Sequence, residues 1–327
     1  MPNTVPEDHL HVVAAVISDP ANDRRVLISR RHIDSHQGGK WEFPGGKLDV
    51  GEDAFSALER ELNEELGITV GKAIPFIRLN YVYPDKAVHL DVWRVLSFSG
   101  EAHGREGQDV QWVDINSLRN YDYPQANIPV IRALELPSVY AISAADRMGQ
   151  ELFLNRLDQA LQAGLKLLQL REPRLSEQDY RNLAHTVIDR CHKHGAKVIL
   201  NAEPALVPEL GADGVQLNSN ALMQLTERPL DDGFMVIASC HDQAELKQAQ
   251  AIHADAALLS PVLDTPSHPG ADTLGWPVFS ELATDASLPV YALGGMEPDS
   301  IEEAQSHGAI GIAMITAYWE QFKGQVL

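Results

Sequence analysis

Cysteine is nearly absent, with Cys191 and Cys240 the two in 327 residues. Two thiols build no disulfide framework, and no CxxC or Cys/His grouping has the spacing of a zinc site. Both stand near apolar segments and read as buried free thiols. Positive charge is also scarce, 26 Lys+Arg against 46 Asp+Glu, for a net −20. That balance argues against a broad basic surface, so neither direct nucleic-acid binding nor a membrane surface is expected. A small anionic substrate stays open, because a bound divalent metal reverses the local sign. No apolar run nears ~18 residues. The opening MPNTVPEDHL has no basic n-region or apolar h-region, and the expected location is the cytoplasm. Low-complexity segments are missing too. With 44% hydrophobic and 22% charged residues, the composition is that of a folded globular chain.

At roughly 150 residues per domain the length suggests about two domains, and the pattern changes near residue 135. Before it, candidate strands His11–Ile17, Val26–Arg30, Ile74–Val82, His89–Ser97 and Val110–Val113 surround one helix, Ala54–Leu66. Tyr121–Pro137 carries three prolines and reads as a closing segment plus linker. After residue 138, short apolar strands alternate with helical stretches. Strands are expected at Val139–Ser143, Leu167–Leu170, Lys197–Leu200, Gly214–Leu217, Met235–Ser239, Ala256–Ser260, Val290–Leu293 and Ile310–Met314. Helices are expected at Glu151–Gln162, Glu177–His194, Gln243–Ala251, Phe279–Thr284 and Pro298–Ser306. Eight strand–helix units favour a compact (β/α)8 barrel over a doubly wound open sheet.

Residues Gly46–Ile68 read GKLDVGEDAFSALERELNEELGI. Gly46, Glu52, Arg60, Glu61, Glu64, Glu65 and Gly67 stand at the spacing G-x5-E-x7-R-E-U-x-E-E-x-G-U, with Leu62 and Ile68 as the bulky apolar U. Seven fixed residues at roughly 6% each match by chance on the order of 10⁻⁹ per position. At 100° per residue, Glu61, Glu64 and Glu65 share one arc of the helix. The apolar stripe Ala54, Leu58, Leu62 and Leu66 lies beside it. An isolated E-x-x-E-E is ordinarily a solvated acidic face. Bordering an apolar stripe and following a glycine loop, these acids suit a hard cation, Mg²⁺ or Mn²⁺. The loop Pro44-Gly45-Gly46 can bring a backbone carbonyl to it. Arg60 reads as a helix anchor through ion pairing.

This segment resembles the Nudix box, and the likeness extends over about residues 10–134. LISRRHIDSHQGGKWEFPGGK, YPDKAVHLDVW, GREGQDVQWVD and YPQANIPVIRAL are similar to the MutT-type Nudix hydrolases, the 8-oxo-dGTP diphosphatases. The resemblance implies metal-assisted attack of water on a nucleoside diphosphate linkage. It implies a catalytic set of Glu52, Glu61, Glu64, Glu65 and Glu106, with Gly45, Glu61, Glu64, Glu65 and Glu106 holding the metal. Glu52, Glu61 and Glu106 remain alternatives for the general base. Arg31, His36, Glu42, Phe43, Gly45 and Asn127 are the implied substrate residues; an amide suits a purine edge because it offers donor and acceptor together. Tyr83 and Lys86 depart from that family's pattern.

The later strings VYAIS, LLQLREP, VILNAEPALVPELGADGVQLNS, IASCHDQAEL, LLSPVLDTPSHPGAD, YALGGMEP and GAIGIAMITAYW resemble the thiamine phosphate synthase and TenI superfamily. Barrels build their sites at strand C-termini. There the resemblance puts Arg171, Asn201, Ser239, His241, Gly294 and Gly295 around a ligand, expected to be a thiamine-related phosphate. Glu172, Gln216 and Ser260 stand at equivalent ends. The synthases' Q-L-R-x-K lysine is Pro173 here, and their N-D aspartate is Ala202. Asn218-Ser219-Asn220-Ala221 lacks the expected acidic metal ligand, and a T-x-T-K loop becomes Thr265-Pro266-Ser267-His268. Departure of pyrophosphate needs cationic stabilisation, and most of it is gone. TenI-type tautomerases use a histidine at the S-x-H position, where His241 stands.

The expected fold class is α/β. Residues 1–134 form a Nudix α/β/α sandwich on a mixed sheet, 135–138 a linker, and 139–327 a (β/α)8 TIM barrel. Three functions compete. The first is Mg²⁺-dependent hydrolysis of 8-oxo-dGTP to the monophosphate and pyrophosphate. The second is a non-catalytic barrel that binds a thiamine-related phosphate. The third is a thiamine-pathway enzyme whose Nudix domain removes thiamine-related diphosphates, with tautomerase or synthase chemistry in the barrel.

Overall fold

The computed structural model describes residues 9–265 and 272–323. Pro266, Ser267 and His268, part of the altered synthase loop, lie outside the described residues. The chain divides into two compact units, Met1–Leu136 with Thr284–Leu288, and Pro137–Ala283 with Pro289–Leu327.

The first unit is built on a mixed sheet. Its strands are β1 (His9–Asp19), β2 (Asn22–Arg30), β3 (Trp41–Glu42), β4 (Thr69–Val82), β5 (Ala87–Ser99) and β6 (Val110–Asp114), in the order β3-β2-β1-β5-β4, with β6 on β2. β1 and β5 run parallel and the remaining pairs antiparallel. Strand alternation sends successive side chains to opposite faces, and β1 uses both. Val13, Ala15 and Ile17 face the core with Leu58, Leu62 and Leu66, while Leu10, Val12 and Ala14 line a cleft.

Helix α1 (Ala54–Leu66) has the expected bounds. Asp53 caps it, its carboxylate accepting the N–H groups of Phe55 and Ser56, worth about 1 kcal/mol. Gly67 ends it at φ 70°, where only glycine sits without strain. Ala57, Leu58, Leu62 and Leu66 are fully buried, each leucine contributing about 1.5–3 kcal/mol. Tyr121–Pro137, read as a closing segment plus linker, carries regular structure in its closing part. It holds a 3₁₀ turn, Gln125–Asn127, and helix α2 (Ile128–Leu134). Pro129 lies in the first turn of α2, where its missing N–H costs nothing. The two-residue β3 was too short to show in the periodicity.

The core face of the sheet carries a polar group at one end. His11 pairs in register with His89, and Val13 with Asp91; across the next ladder, Asn80 faces His89 and Arg78 faces Asp91. His89 and Asp91 are buried. Burial, then the neighbouring His11, pushes the His89 pKa down to about 4, so its ring is neutral at pH 7.

The second unit is a closed parallel barrel. Its strands are β7 (Val139–Ile142), β8 (Leu167–Leu170), β9 (Lys197–Leu200), β10 (Gly214–Leu217), β11 (Met235–Cys240), β12 (Ala256–Leu259), β13 (Val290–Leu293) and β14 (Gly311–Met314). The helices α4 (Gln150–Gln162), α5 (Glu177–Lys193) and α8 (Gln243–Ala251) match the periodicity, while α9 (Gly275–Asp285) begins ahead of the expected Phe279. The short ones, α3 (Ala145–Met148), α6 (Leu206–Leu210), α7 (Ser219–Gln224) and α11 (Thr316–Glu320), span too little chain for a 3.6-residue repeat to register. Pro298–Ser306 is a 3₁₀ turn, Pro298–Ser300, running into α10 (Ile301–Ser306). Among the described residues no helix is long and apolar enough to cross a membrane.

Candidate active site

The loop after β3 crosses β1. Val13 N–H donates to Gly46 O and Ala15 N–H to Pro44 O, both at 2.8 Å. A side chain at Gly45 would meet Val13 O at 2.2 Å, so only glycine permits this approach. Gly45 N–H then donates to Glu65 Oε2 at 3.2 Å. A side chain at Gly46 would meet the Glu61 carboxylate at 2.2 Å. The two glycines therefore bring backbone against the acidic face of α1.

The loop containing Glu106 docks on the last turn of α1. Arg105 N–H and Gln108 Nε2 both donate to Glu65 O, at 2.9 and 3.0 Å. These bonds satisfy last-turn carbonyls of the helix and set Glu106 beside Glu65 in the cleft wall. The carboxylates crowd. Burial, followed by the charges of Glu42, Glu61 and Glu106, raises the Glu65 pKa to about 8. Burial likewise lifts Glu42 to about 7 against the pull of Arg31. Oxygen donors that repel one another and cannot all ionise fit a hard divalent cation.

Arg60 stands on the outer side. Its guanidinium donates to Glu52 at 3.0 and 2.8 Å, to Glu61 Oε1 at 2.8 Å and to Lys47 O at 2.9 Å. Glu52 also accepts Asp49 N–H at 3.0 Å. These bonds, Arg60 foremost, hold the Glu52 carboxyl below its usual range. Glu52 thus pins the loop to the helix; Glu52, Glu61 and Glu64 are not among the cleft-lining residues, and Glu64 is more than half exposed.

The other end of the cleft is built from β2, β3, β4 and the 3₁₀ turn before α2. Arg31 forms a close ion pair with Glu42 and donates from Nε to His36 O at 2.9 Å. Phe43 N–H faces Asn127 Oδ1 at 3.4 Å, and the Phe43 ring stacks on Tyr123. His36 meets Tyr83 edge-on at 5.0 Å, and the Tyr83 hydroxyl accepts Ala126 N–H at 3.3 Å. Arg31, His36, Glu42, Phe43, Gly45, Glu65, Glu106 and Asn127 all line one cavity of about 280 Å³.

At the barrel mouth the polar groups bond to one another. Asn201 Nδ2 donates to Gln216 O at 3.2 Å, Gln216 Nε2 to Ser239 Oγ at 3.0 Å, and Tyr140 OH to Gln216 Oε1 at 3.1 Å. His241 Nδ1 lies 2.7 Å from Ser260 O; a carbonyl only accepts, so the proton is on Nδ1 and Nε2 keeps its lone pair. Glu172 is buried and accepts the N–H groups of Ala145 and Asp146 at 2.8 and 2.7 Å. Gly294 and Gly295 have φ of 100° and 71°, and a side chain at Gly295 would meet Leu263 Cβ at 2.6 Å. Arg171 N–H donates to Ser143 Oγ at 2.8 Å.

A NUDIX domain model matches residues 13–133, and a thiamine monophosphate synthase model matches residues 139–318. The 8-oxo-dGTP diphosphatase of Escherichia coli is 40% identical over 126 residues, which are 38% of this chain and 96% of that protein. The putative thiamine-phosphate synthase 2 of Aquifex aeolicus is 33% identical over 187 residues, 57% of this chain and all of that protein. The chain belongs to both families. It is a Nudix hydrolase fused to a thiamine monophosphate synthase family barrel. The CTP pyrophosphohydrolase of Escherichia coli is also similar to the Nudix domain, 36% identical over 126 residues, 38% of this chain and 90% of that protein.

Within the Nudix domain, Leu10, Val88, Leu90, Lys47, Tyr83 and Lys86 also face the cavity. Tyr83 and Lys86, the two departures from the family pattern, thus stand in the wall of the site. The apolar members alternate along β1 and β5 with core residues, and a two-sided strand gives no sign of which face is a wall.

Proposed function

We propose that the Nudix domain hydrolyses an oxidised purine nucleoside triphosphate, 8-oxo-dGTP, to the monophosphate and pyrophosphate in the cytoplasm, keeping oxidised guanine out of DNA. The observation that carries this reading is the convergence of Asn127, Phe43, Arg31 and Glu42 with Glu65 and Glu106 on one cavity. Asn127 Oδ1 takes Phe43 N–H and has a second lone pair for the base. An oxidised guanine presents an N7–H donor there, whereas guanine presents a lone pair. The contact is thus attractive for one base and repulsive for the other. Phe43, held against Tyr123, forms an apolar wall for the purine face. Lys47 and Lys86 on the lining offset triphosphate charge. Glu61, Glu64, Glu65, Glu106 and the Gly45 carbonyl would hold Mg²⁺ or Mn²⁺, which when bound polarises phosphoryl oxygens and lowers the pKa of a water.

The barrel is assigned to binding a thiamine-related phosphate without synthesis, since Pro173 and Ala202 supply neither ammonium nor carboxylate and Glu172 is committed to α3. His241 Nε2, without a hydrogen-bond partner among the described residues, favours a second reading, proton transfer in a thiazole tautomer; His241→Gln would abolish it. The deciding experiment is a hydrolysis screen with Mg²⁺ over canonical and oxidised nucleotides, CTP and thiamine-pathway diphosphates. The reading expects the highest kcat/KM on 8-oxo-dGTP. A preference for a thiamine-related diphosphate would replace it with the pathway-enzyme reading.

A further inference from the structure

The polar group on the core face of the Nudix sheet is not used by any step above. We infer that His11, His89 and Asp91 form a second metal site, one that takes a zinc-class divalent ion. One ligand atom from each of the three lies within 4.8 Å of the others. Bonds of about 2.1 Å to zinc put tetrahedral donors about 3.4 Å apart, so closing the site takes side-chain shifts of roughly an ångström.

Each ligand has a free atom and a support. Asp91 is 1% exposed, and its Oδ1 is buried with no hydrogen-bond partner among the described residues. Its Oδ2 lies 3.3 Å from Arg78 Nε. His11 Nε2 is likewise buried and unpartnered, 3.9 Å from Asp91 Oδ2. His89 Nδ1 lies 2.7 Å from Asn80 Oδ1. That oxygen accepts, so the proton sits on Nδ1 and Nε2 is left to ligate, the outer-shell arrangement usual for metal-bound histidine. A buried carboxylate oxygen and an imidazole nitrogen left without partners are destabilising, and an ion between them removes that cost.

The donor set decides which ion. Two imidazoles and one carboxylate suit zinc, cobalt or nickel and not Mg²⁺, which asks for oxygen. Arg78 already neutralises part of Asp91, which further disfavours an ion held by charge alone. The His11 side chain is 25% exposed, giving a way in from solvent. Leu10, Val12, Val88 and Leu90, the neighbours of these residues on the same two strands, face the cavity on the opposite side of the sheet. The group shares no ligand with the Glu61, Glu64, Glu65 cluster, and of those three only Glu65 lines that cavity.

The test is Zn²⁺ titrated calorimetrically into the full chain in excess Mg²⁺, with Co²⁺ absorption as a probe of nitrogen ligation. One Zn²⁺ per chain should bind, and binding should survive Glu65→Gln. His11→Ala should weaken it at least a hundredfold, and Asn80→Ala about 10–100-fold. His11→Gln, which keeps a polar group on the strand, should lose binding with an unchanged circular dichroism spectrum. Zinc binding that disappears in Glu65→Gln, that is unaltered in His11→Ala and His11→Gln, or that is absent from the wild type would overturn the inference.

Discussion

In the Nudix cleft, burial pushes Glu42 and Glu65 up to about 7 and about 8, with carboxylates left facing carboxylates. At the barrel mouth, Asn201, Gln216, Ser239 and His241 all bond to neighbours within the same mouth. The first arrangement is electrostatically incomplete and gains from a cation; the second is nearly complete and gains little from one. On the proposed reading, two sites on one chain separate the requirements of bond cleavage from those of holding. A site that must stabilise developing charge keeps uncompensated groups aimed at one point. A site relieved of that duty lets its polar groups relax onto each other.

The sharpest way to break the comparison is Glu65→Gln. It should lower kcat for Mg²⁺-supported hydrolysis by on the order of 10³, as the cation supplies several kcal/mol to the transition state, and leave barrel ligand binding untouched. Near-wild-type pyrophosphate release would remove the cluster from the chemistry. Next, Asn127→Ala should reduce discrimination between 8-oxo-dGTP and dGTP by about 1–3 kcal/mol, read as the ratio of kcat/KM values. Equal losses on both nucleotides would return Asn127 to a turn role.

On the barrel side, the full chain should make no thiamine phosphate from its pyrimidine and thiazole halves, yet bind thiamine phosphate. Gly295→Ala should weaken that binding about tenfold, or ~1.4 kcal/mol, because the new methyl group meets Leu263. Rescue of a strain lacking its own synthase would erase the contrast between the two sites.

The smallest effect is a proton. Glu65 has its pKa raised in the folded chain, to about 8 from 4.5. Its proton is retained across that window in the folded state and lost in the unfolded one, so its contribution to stability is full below about 4.5 and falls away as pH rises through about 8. At pH 7, Mg²⁺ binding at Glu65 would displace that proton. Calorimetry in buffers of different ionisation enthalpy should show release approaching one proton per chain, abolished by Glu65→Gln.

Regular periodicity made much of this legible. Ala54–Leu66 was readable residue for residue from its apolar stripe and the motif that spans it; the Asp53 and Gly67 caps belong to the structure and agree with those bounds. The eight barrel strands were legible because each is a short apolar run followed by a helix or turn. Helix α2 was not, since Pro129 looks like a breaker until its first-turn position is known. The reach of Arg31, Glu42 and Asn127 toward one cavity follows the family pattern. The engagement of Glu52 by Arg60 depends on side-chain geometry that spacing alone does not encode. Nor does spacing tell that His11 and His89, 78 positions apart, share a ladder rung.

Arg60 has one more consequence. Its guanidinium holds Glu52 through two bonds, Glu61 through one, and the Lys47 carbonyl through another. It is a resident counter-ion, covalently tethered, that partly offsets the acidic helix face at every metal concentration. A chelator should therefore silence this protein without unfolding it, and activity should return as soon as the ion does. Starvation for magnesium would leave an idle but intact pool, recoverable without new synthesis.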